Sequence, residues 1–139
     1  MISIENILKT SKTIAIIGLS DKQDRPSYQV AQYLLSQGFN IIPVNPTITT
    51  VYGLESYPSI LAIPKAIKID IVNIFRQPTE VIPIIKEVIM SGQKPVIWMQ
   101  EGVGSPEAKT FAEKNGLEVV MDMCMMQEKI AVSIEYPIC

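Results

Sequence analysis

The sequence predicts an α/β domain in which a mainly parallel sheet carries helices on both faces. Apolar runs rich in β-branched residues alternate along the chain with segments whose apolar residues recur at helical spacing. These runs lack the polar alternation of half-exposed strands, which favours strands buried on both faces of a parallel sheet. The connections between the segments are short, which favours right-handed crossovers and a single domain over residues 1–139.

The first half of the chain predicts a helix, a strand, a second helix and a second strand. Ser3 is a suitable N-cap for the apolar residues that follow it at helical spacing, which predicts a short helix over residues 3–10. The β-branched run at residues 13–17 predicts the first strand. Pro26 suits the first turn of the next helix, and residues 39–44 form the second predicted strand.

The second half of the chain continues the same alternation after a less regular segment. Residues 47–64 contain turn signals and predict at most a short strand or a helical turn. Residues 70–75 predict the third strand. In the helix after it, Pro83 falls in the first turn, where its missing N–H costs no helical hydrogen bond. Residues 95–98 predict the fourth strand, residues 105–115 a helix and residues 118–121 the last strand. Residues 123–139 are a Met-rich C-terminal tail.

The charge and the apolar runs disfavour several classes of partner. The formal net charge of −2 provides no broad basic surface, so neither a nucleic acid nor an anionic membrane is an expected partner. The longest apolar runs fall far short of the ~20 residues that a membrane span needs. Charged residues interrupt any signal-peptide core near the N-terminus, so we expect a cytoplasmic protein.

The chain contains no histidine and two cysteines, Cys124 and Cys139. The absence of histidine excludes Ser-His-Asp and Cys-His catalysis, phosphohistidine intermediates and most zinc sites. The two cysteines lack CxxC spacing, so they predict no metal site between them. Without a secretory context they predict reduced thiols. Cys124 stands among methionines that form either an adaptable packing cluster or the surroundings of a reactive thiol, and packing is favoured because no cation is adjacent in sequence.

The two arginines of the chain, Arg25 and Arg76, both follow predicted strands. In open α/β sheets, ligands bind beyond the carboxyl ends of the strands. Guanidinium groups bind phosphate through two parallel hydrogen bonds, so this placement favours an anionic ligand. Surface ion pairs are the alternative explanation.

The turn at Gly18-Leu19-Ser20 precedes, by a short polar loop, the helix that begins near Pro26, and Ser20 or Ser27 could hydrogen-bond a phosphate near that helix N-terminus. The turn matches neither GxGxxG nor a P-loop, so a generic strand-to-helix turn is also consistent with it. NAD-binding domains place an acidic residue after the second strand, yet no acidic residue lies between Asp24 and Glu55. This argues against NAD. Trp98, at the end of a strand, lines a ligand pocket or belongs to the core.

A set of short motifs stands in a specific order along the chain. They are Gly18-Leu19-Ser20, Arg25-Pro26-Ser27-Tyr28, Pro43-Val44-Asn45-Pro46, Gly53, Tyr57-Pro58-Ser59, Asp70-Ile71-Val72, Phe75-Arg76, Trp98-Met99-Gln100, Gly102-Val103 and Met121-Asp122-Met123-Cys124. This order resembles the small stand-alone CoA-binding domain family. That family is similar to the CoA-binding domains of the succinyl-CoA synthetase α subunit and of ADP-forming acyl-CoA synthetases. One departure is Met123, where a basic residue is expected.

The resemblance implies a Rossmann-like sheet of five or six strands that holds CoA or acyl-CoA across the strand ends. The first loop would meet the phosphates, the second the adenosine, and the loop after the fourth main strand would lie toward the pantetheine. The implied binding residues are Gly18, Leu19, Ser20, Lys22, Arg25, Pro26, Ser27, Val44, Asn45, Pro46, Phe75, Arg76, Trp98, Gln100 and Gly102.

The resemblance favours a binding protein, such as a carrier, a sensor or a regulatory module, with no catalytic residue of its own. Synthetases of this kind act through a phosphohistidine on another domain, and this chain has no histidine. A component of an acyl-CoA synthetase, a small NAD-dependent reductase and a structural partner of a larger assembly are the alternatives. A homo-oligomer and a synthetase-like protein partner both stay open.

Overall fold

Strands and helices alternate over residues 3–135, the part of the chain that this computed structural model describes. The strands are β1 (Thr13–Ile17), β2 (Asn40–Val44), β3 (Thr50–Val51), β4 (Leu54–Glu55), β5 (Ile71–Ile74), β6 (Val96–Met99) and β7 (Val119–Met121). The helices are α1 (Ile4–Thr10), α2 (Pro26–Ser36), α3 (Val81–Ser91), α4 (Pro106–Lys114) and α5 (Met125–Glu135), with 3-10 turns at Ile60–Ala62 and Pro78–Glu80. Each of the five strands predicted from apolar runs begins and ends within one residue of its prediction.

The central sheet contains five parallel strands in the order β2-β1-β5-β6-β7. This confirms the predicted Rossmann-like α/β fold. The chain moves from β1 outward to β2 and then returns to the other side of β1, so the strand order reverses between β1 and β5. Such a reversal opens a crevice at the carboxyl ends of the two strands. Strands β3 and β4 form a separate antiparallel pair.

Both faces of the sheet are covered, which explains why its strands lack polar alternation. Successive side chains of a strand point to opposite faces. In β1, Ile14 and Ile16 pack with side chains of α1, α2 and α5, whereas Ala15 and Ile17 pack with those of α3 and α4. Pro43 lies in β2, an edge strand, where a missing N–H is tolerated.

The helix ends follow the local signals in the sequence. The Ser3 hydroxyl accepts a hydrogen bond from the N–H of Asn6, and the Ser105 hydroxyl accepts one from Ala108. The first contact confirms the predicted N-cap of α1, and the second makes Ser105 the N-cap of α4. Pro83 is the third residue of α3, as expected for a proline tolerated in a first turn.

The segment after β7 contains a helix that the sequence analysis did not predict. Residues 123–139 were predicted to form a tail, whereas residues 125–135 form α5. Met125 is fully buried against the α1 and α2 side of the sheet, so its side chain fixes the helix by packing. Residues 136–139 lie outside the described part of the chain. Within that part, no helix is long and apolar enough to cross a membrane.

The irregular segment at residues 47–64, for which a short strand or a helical turn was predicted, forms the β3–β4 hairpin and a 3-10 turn, so it contains more regular structure than predicted. Tyr52 joins the hairpin to α2. Its ring stacks on Tyr28 with a centroid separation of 4.5 Å, and its hydroxyl donates a hydrogen bond to the Tyr28 carbonyl. Burial raises the pKa of the Tyr52 phenol. The hairpin therefore supports the start of α2.

Candidate functional site

Three loops meet at the carboxyl edge of the sheet, where the strand order reverses. The N–H of Gly18 donates a hydrogen bond to the Val44 carbonyl at 2.8 Å, and the N–H of Phe75 donates one to the Ile17 carbonyl at 2.9 Å. These bonds hold the ends of β1, β2 and β5 together. Gly18 has a φ of +86°, in the left-handed region that favours glycine.

The loop after β1 is folded onto the first turn of α2. Ser27 is buried, and its hydroxyl oxygen accepts a hydrogen bond from the N–H of Ser20 at 3.0 Å. The Ser20 hydroxyl oxygen in turn accepts one from the N–H of Lys22 at 3.0 Å. A hydroxyl that accepts still has a proton to donate, so both serines retain donor capacity.

The start of α2 leaves backbone donors open. Arg25 occupies the N-cap without a side-chain hydrogen bond, and Pro26 follows it. Among residues 3–135, no group accepts a hydrogen bond from the N–H of Ser27 or Tyr28. Open N–H groups and the positive end of the helix dipole together suit an anion.

The start of α2, at Pro26 and Ser27, borders a cleft of about 490 Å³, called here the basic cleft. Its charged lining consists of three cations and one carboxylate, so its local charge is positive although the chain is acidic overall. The lining residues are Gly18, Ser20, Asp21, Lys22, Arg25, Pro26, Ser27, Asn45, Thr47, Ile48, Phe75 and Arg76.

A second cleft, of about 370 Å³, lies between the ends of β1 and β2 and the helix α3. Three prolines and several aliphatic side chains form most of its wall, and it is called here the proline cleft. Its lining residues are Ile17, Gly18, Val44, Pro46, Pro58, Ser59, Ile60, Arg76, Thr79, Glu80, Pro83, Ile84 and Glu87.

The contribution of α3 to this cleft was not among the predictions from the sequence. Glu80, Pro83, Ile84 and Glu87 stand at the spacing i, i+3, i+4, i+7, which places them on one side of the helix. That spacing is visible in the sequence. The direction in which this side of α3 faces is not, because it depends on how the helix docks on the sheet.

A third cleft, of about 470 Å³, lies between the start of α2, the loop after β6 and the start of α5. It is called here the Cys124 cleft. The N–H of Gly102 donates to Asp122 Oδ1 at 2.7 Å, and Gln100 Oε1 accepts from the N–H of Met125 at 3.3 Å. These bonds fix the loop after β6 against α5. The lining residues are Pro26, Gln29, Val30, Phe75, Arg76, Gln77, Pro78, Gln100, Glu101, Gly102, Val103, Cys124 and Met126.

Arg76 lines all three of these clefts. Its Nη2 donates to Glu80 Oε1 at 2.6 Å, while Glu80 Oε2 accepts from the N–H of Gln77 at 3.2 Å. The Arg76 guanidinium, and then the Gln77 N–H, hold the pKa of Glu80 below its usual range. Both side chains are about two-fifths exposed, at 43% and 41%, so the guanidinium remains accessible from the clefts.

The structure brings most of the predicted binding residues together at this edge. Two of them, Leu19 and Trp98, line none of the three clefts, since both side chains are fully buried. Of the two interpretations of Trp98, the structure supports the core, where its Nε1–H donates to the Met123 carbonyl at 2.8 Å. Leu19 also belongs to the core. The other predicted residues each line at least one cleft.

Asn45 lines the basic cleft, but its side chain is occupied by the protein itself. Its Nδ2 donates to the Leu19 carbonyl at 3.0 Å, and its Oδ1 accepts from the N–H of Thr47 at 2.9 Å. Asn45 therefore ties the loop after β2 to the loop after β1.

Residues 12–129 match the family described as CoA binding domain. Protein YneT of Bacillus subtilis (strain 168) is 40% identical over 122 residues, which cover 88% of each chain. The ADP-forming acetate–CoA ligase II of Archaeoglobus fulgidus is 31% identical over 105 residues, which cover 73% of this chain and 15% of that ligase. A hypothetical protein from Pyrococcus horikoshii OT3 superimposes with a TM-score of 0.86 at 36% identity, covering 94% of this chain and 92% of that one.

Proposed function

Since the chain belongs to the CoA-binding domain family, which is related to ADP-forming acyl-CoA synthetases, we propose that it binds CoA or acyl-CoA. The ligand would lie along the carboxyl edge of the sheet, and the protein would act as a carrier, a sensor or a regulatory module. The observation that carries this proposal is the basic cleft, which concentrates cations and open backbone donors in an acidic chain.

The basic cleft supports binding of the CoA phosphates. Lys22, Arg25 and Arg76 line it, and the open N–H groups of Ser27 and Tyr28 begin the adjoining helix. A phosphate needs both charge neutralisation and several hydrogen-bond donors, and this cleft offers both. Because these groups are concentrated in one place, the site can bind an anion without a large net charge on the protein.

The shared position of Arg76 supports an extended ligand rather than three separate ones. CoA consists of an adenosine end whose ribose carries a 3′-phosphate, a pyrophosphate in the middle and a pantetheine end. In our proposal the adenine lies in the proline cleft, the phosphates in the basic cleft and the pantetheine in the Cys124 cleft. Pro46 would contact the adenosine, and Gln100 and Gly102 the pantetheine. Leu19 and Trp98 would support the site from the core.

The proposal includes no catalysis by this chain alone. The chain contains no histidine to carry a phosphoryl group. The alternative function is that of a component in an acyl-CoA synthetase, which the 31% identity to an ADP-forming acetate–CoA ligase favours. This chain spans 15% of that ligase, so other polypeptides would supply the remaining steps. The cytoplasm is the proposed compartment.

A ligand panel tests the proposal by thermal unfolding in the presence of CoA, acetyl-CoA, NAD or ATP. A ligand at ~100 times its Kd stabilises the native state by about 2.7 kcal/mol, so CoA should raise Tm by several degrees. NAD is the critical competitor, because Glu80 and Glu87 bring carboxylates to the edge where the sequence showed none after β2. An equal or larger shift with NAD would contradict the CoA assignment.

A turnover assay tests the non-catalytic part of the proposal. Purified protein with CoA, ATP and either acetate or succinate should form no acyl-CoA. Product formation at a rate proportional to protein concentration would show that the chain is an enzyme.

A further inference from the structure

Glu87 is a half-buried carboxylate in the middle of α3, and it lines the proline cleft. It forms no hydrogen bond and no ion pair with any residue in the described range 3–135. A carboxylate that lines an open cleft without a protein partner can accept a hydrogen bond from a bound ligand.

Arg76, the cation of the same cleft, forms its ion pair with Glu80 and not with Glu87. Arg76 is held by Glu80, whose two oxygens are engaged by the guanidinium and by the Gln77 N–H. The two glutamates of the cleft thus differ: Glu80 positions the cation, and Glu87 has an open acceptor. This contrast assigns Glu87 to the ligand.

The rest of the cleft limits which group can meet Glu87. Pro46, Pro58 and Pro83 offer flat apolar surfaces, and Ile17 and Ile84 complete an aliphatic wall. Such a wall suits an uncharged heteroaromatic ring. A phosphate is disfavoured here, because two carboxylates outnumber the single cation that lines the cleft.

We infer that Glu87 selects the nucleoside end of the ligand by accepting a hydrogen bond from one of its neutral donors, the adenine amino group or a ribose hydroxyl. This inference rests on the proposed function and deepens it, since it assigns Glu87 as the residue that recognises the nucleoside through a hydrogen bond. The same carboxylate would direct the phosphates of the ligand toward the basic cleft.

Calorimetric titration of Glu87→Ala with CoA tests the inference. A hydrogen bond to a charged group contributes enough that its loss should weaken CoA binding about 10-fold. Alanine favours the interior of a helix, so the variant should fold, and its Tm verifies this. Glu113→Ala is the matched control, because Glu113 is an exposed glutamate of α4 that lines none of the three clefts.

Two CoA analogues identify the donor. One replaces the adenine amino group by hydrogen, and the other lacks the ribose 2′-hydroxyl. The wild-type protein should bind one analogue about 10-fold more weakly than CoA, whereas Glu87→Ala should bind that analogue and CoA equally. That equality supports the inference, since the variant has lost the acceptor.

The outcomes separate the inference from the proposed function. Failure of the wild-type protein to bind CoA would refute the proposed function. Wild-type binding of CoA with unchanged affinity in Glu87→Ala would overturn the role of Glu87 alone. An equal loss of affinity for CoA and both analogues in Glu87→Ala would also overturn it, because the residue would then shape the cleft without reading a donor.

Discussion

A Cβ atom on Gly18 would lie 2.7 Å from the carbonyl oxygen of Phe75. The same atom would lie 2.9 Å from Cδ of Arg76. The ends of β1 and β5 can approach this closely only because Gly18 has no side chain. The close approach also positions Arg76 where three clefts meet.

Gly18→Ala should therefore lower both stability and CoA affinity. Gly38→Ala is the matched control, since Gly38 has a similar φ of +90° and a Cβ added there would meet nothing within 4 Å. The control should cost about 1–2 kcal/mol for the left-handed backbone alone. Gly18→Ala should cost about 1–3 kcal/mol more, because the Phe75 carbonyl cannot move freely. Denaturant unfolding measures the loss of stability in each variant, and calorimetric titration measures the loss of CoA affinity in Gly18→Ala. Equal losses of stability in the two variants would show that the contact is relieved without cost.

Arg76→Ala should weaken CoA binding by about 10- to 100-fold, and Arg25→Ala should act in the same direction. Each removes a cation from the basic cleft. Lys94→Ala and Lys114→Ala are the controls, since neither lysine lines any of the three clefts. Lys22, which lines the basic cleft, should have an intermediate effect. Unchanged affinity in both arginine variants, measured by calorimetric titration, would mean that the phosphates bind elsewhere.

The Arg76 variant also leaves the Glu80 carboxylate without its cation, which adds repulsion toward a phosphate. The double variant Arg76→Ala/Glu80→Gln removes that repulsion. The difference in CoA affinity that remains between the double variant and the wild-type protein then measures the contribution of the Arg76 charge.

Asn73→Val should raise the free energy of unfolding by about 1 kcal/mol. Asn73 is fully buried in β5, its Oδ1 has no hydrogen-bond partner among the described residues, and its Nδ2 lies 4.0 Å from Met125 Sδ. A buried amide without adequate partners costs stability, and valine suits a strand. Asn45→Val is the control and should cost about 1–3 kcal/mol, because the oxygen and the nitrogen of the Asn45 amide are both hydrogen-bonded. If Asn73→Val lowered the free energy of unfolding as much as Asn45→Val does, this account would be contradicted.

The sequence alone determined the order and bounds of the main elements, because the signals for them are local. Each signal affects the backbone conformation of residues only a few positions away. Examples are the apolar run at residues 13–17, the cap at Ser3 and the first-turn Pro26. The position of Arg25 and Arg76 in loops after strands followed directly from those bounds. In a parallel sheet the carboxyl ends lie at one edge, so the general location of a site there could also be predicted.

The tertiary structure alone decided which side chains reach that edge. Trp98 lies in a strand that is covered on both faces, so it is buried although it stands near the site in sequence. The Met-rich segment forms α5, and the packing of Met125 in the core stabilises this helix. The local sequence does not reveal that Met125 is buried. Glu80 and Glu87 entered the proline cleft through the docking angle of α3. That angle depends on packing between residues far apart in the chain, and no local pattern encodes it.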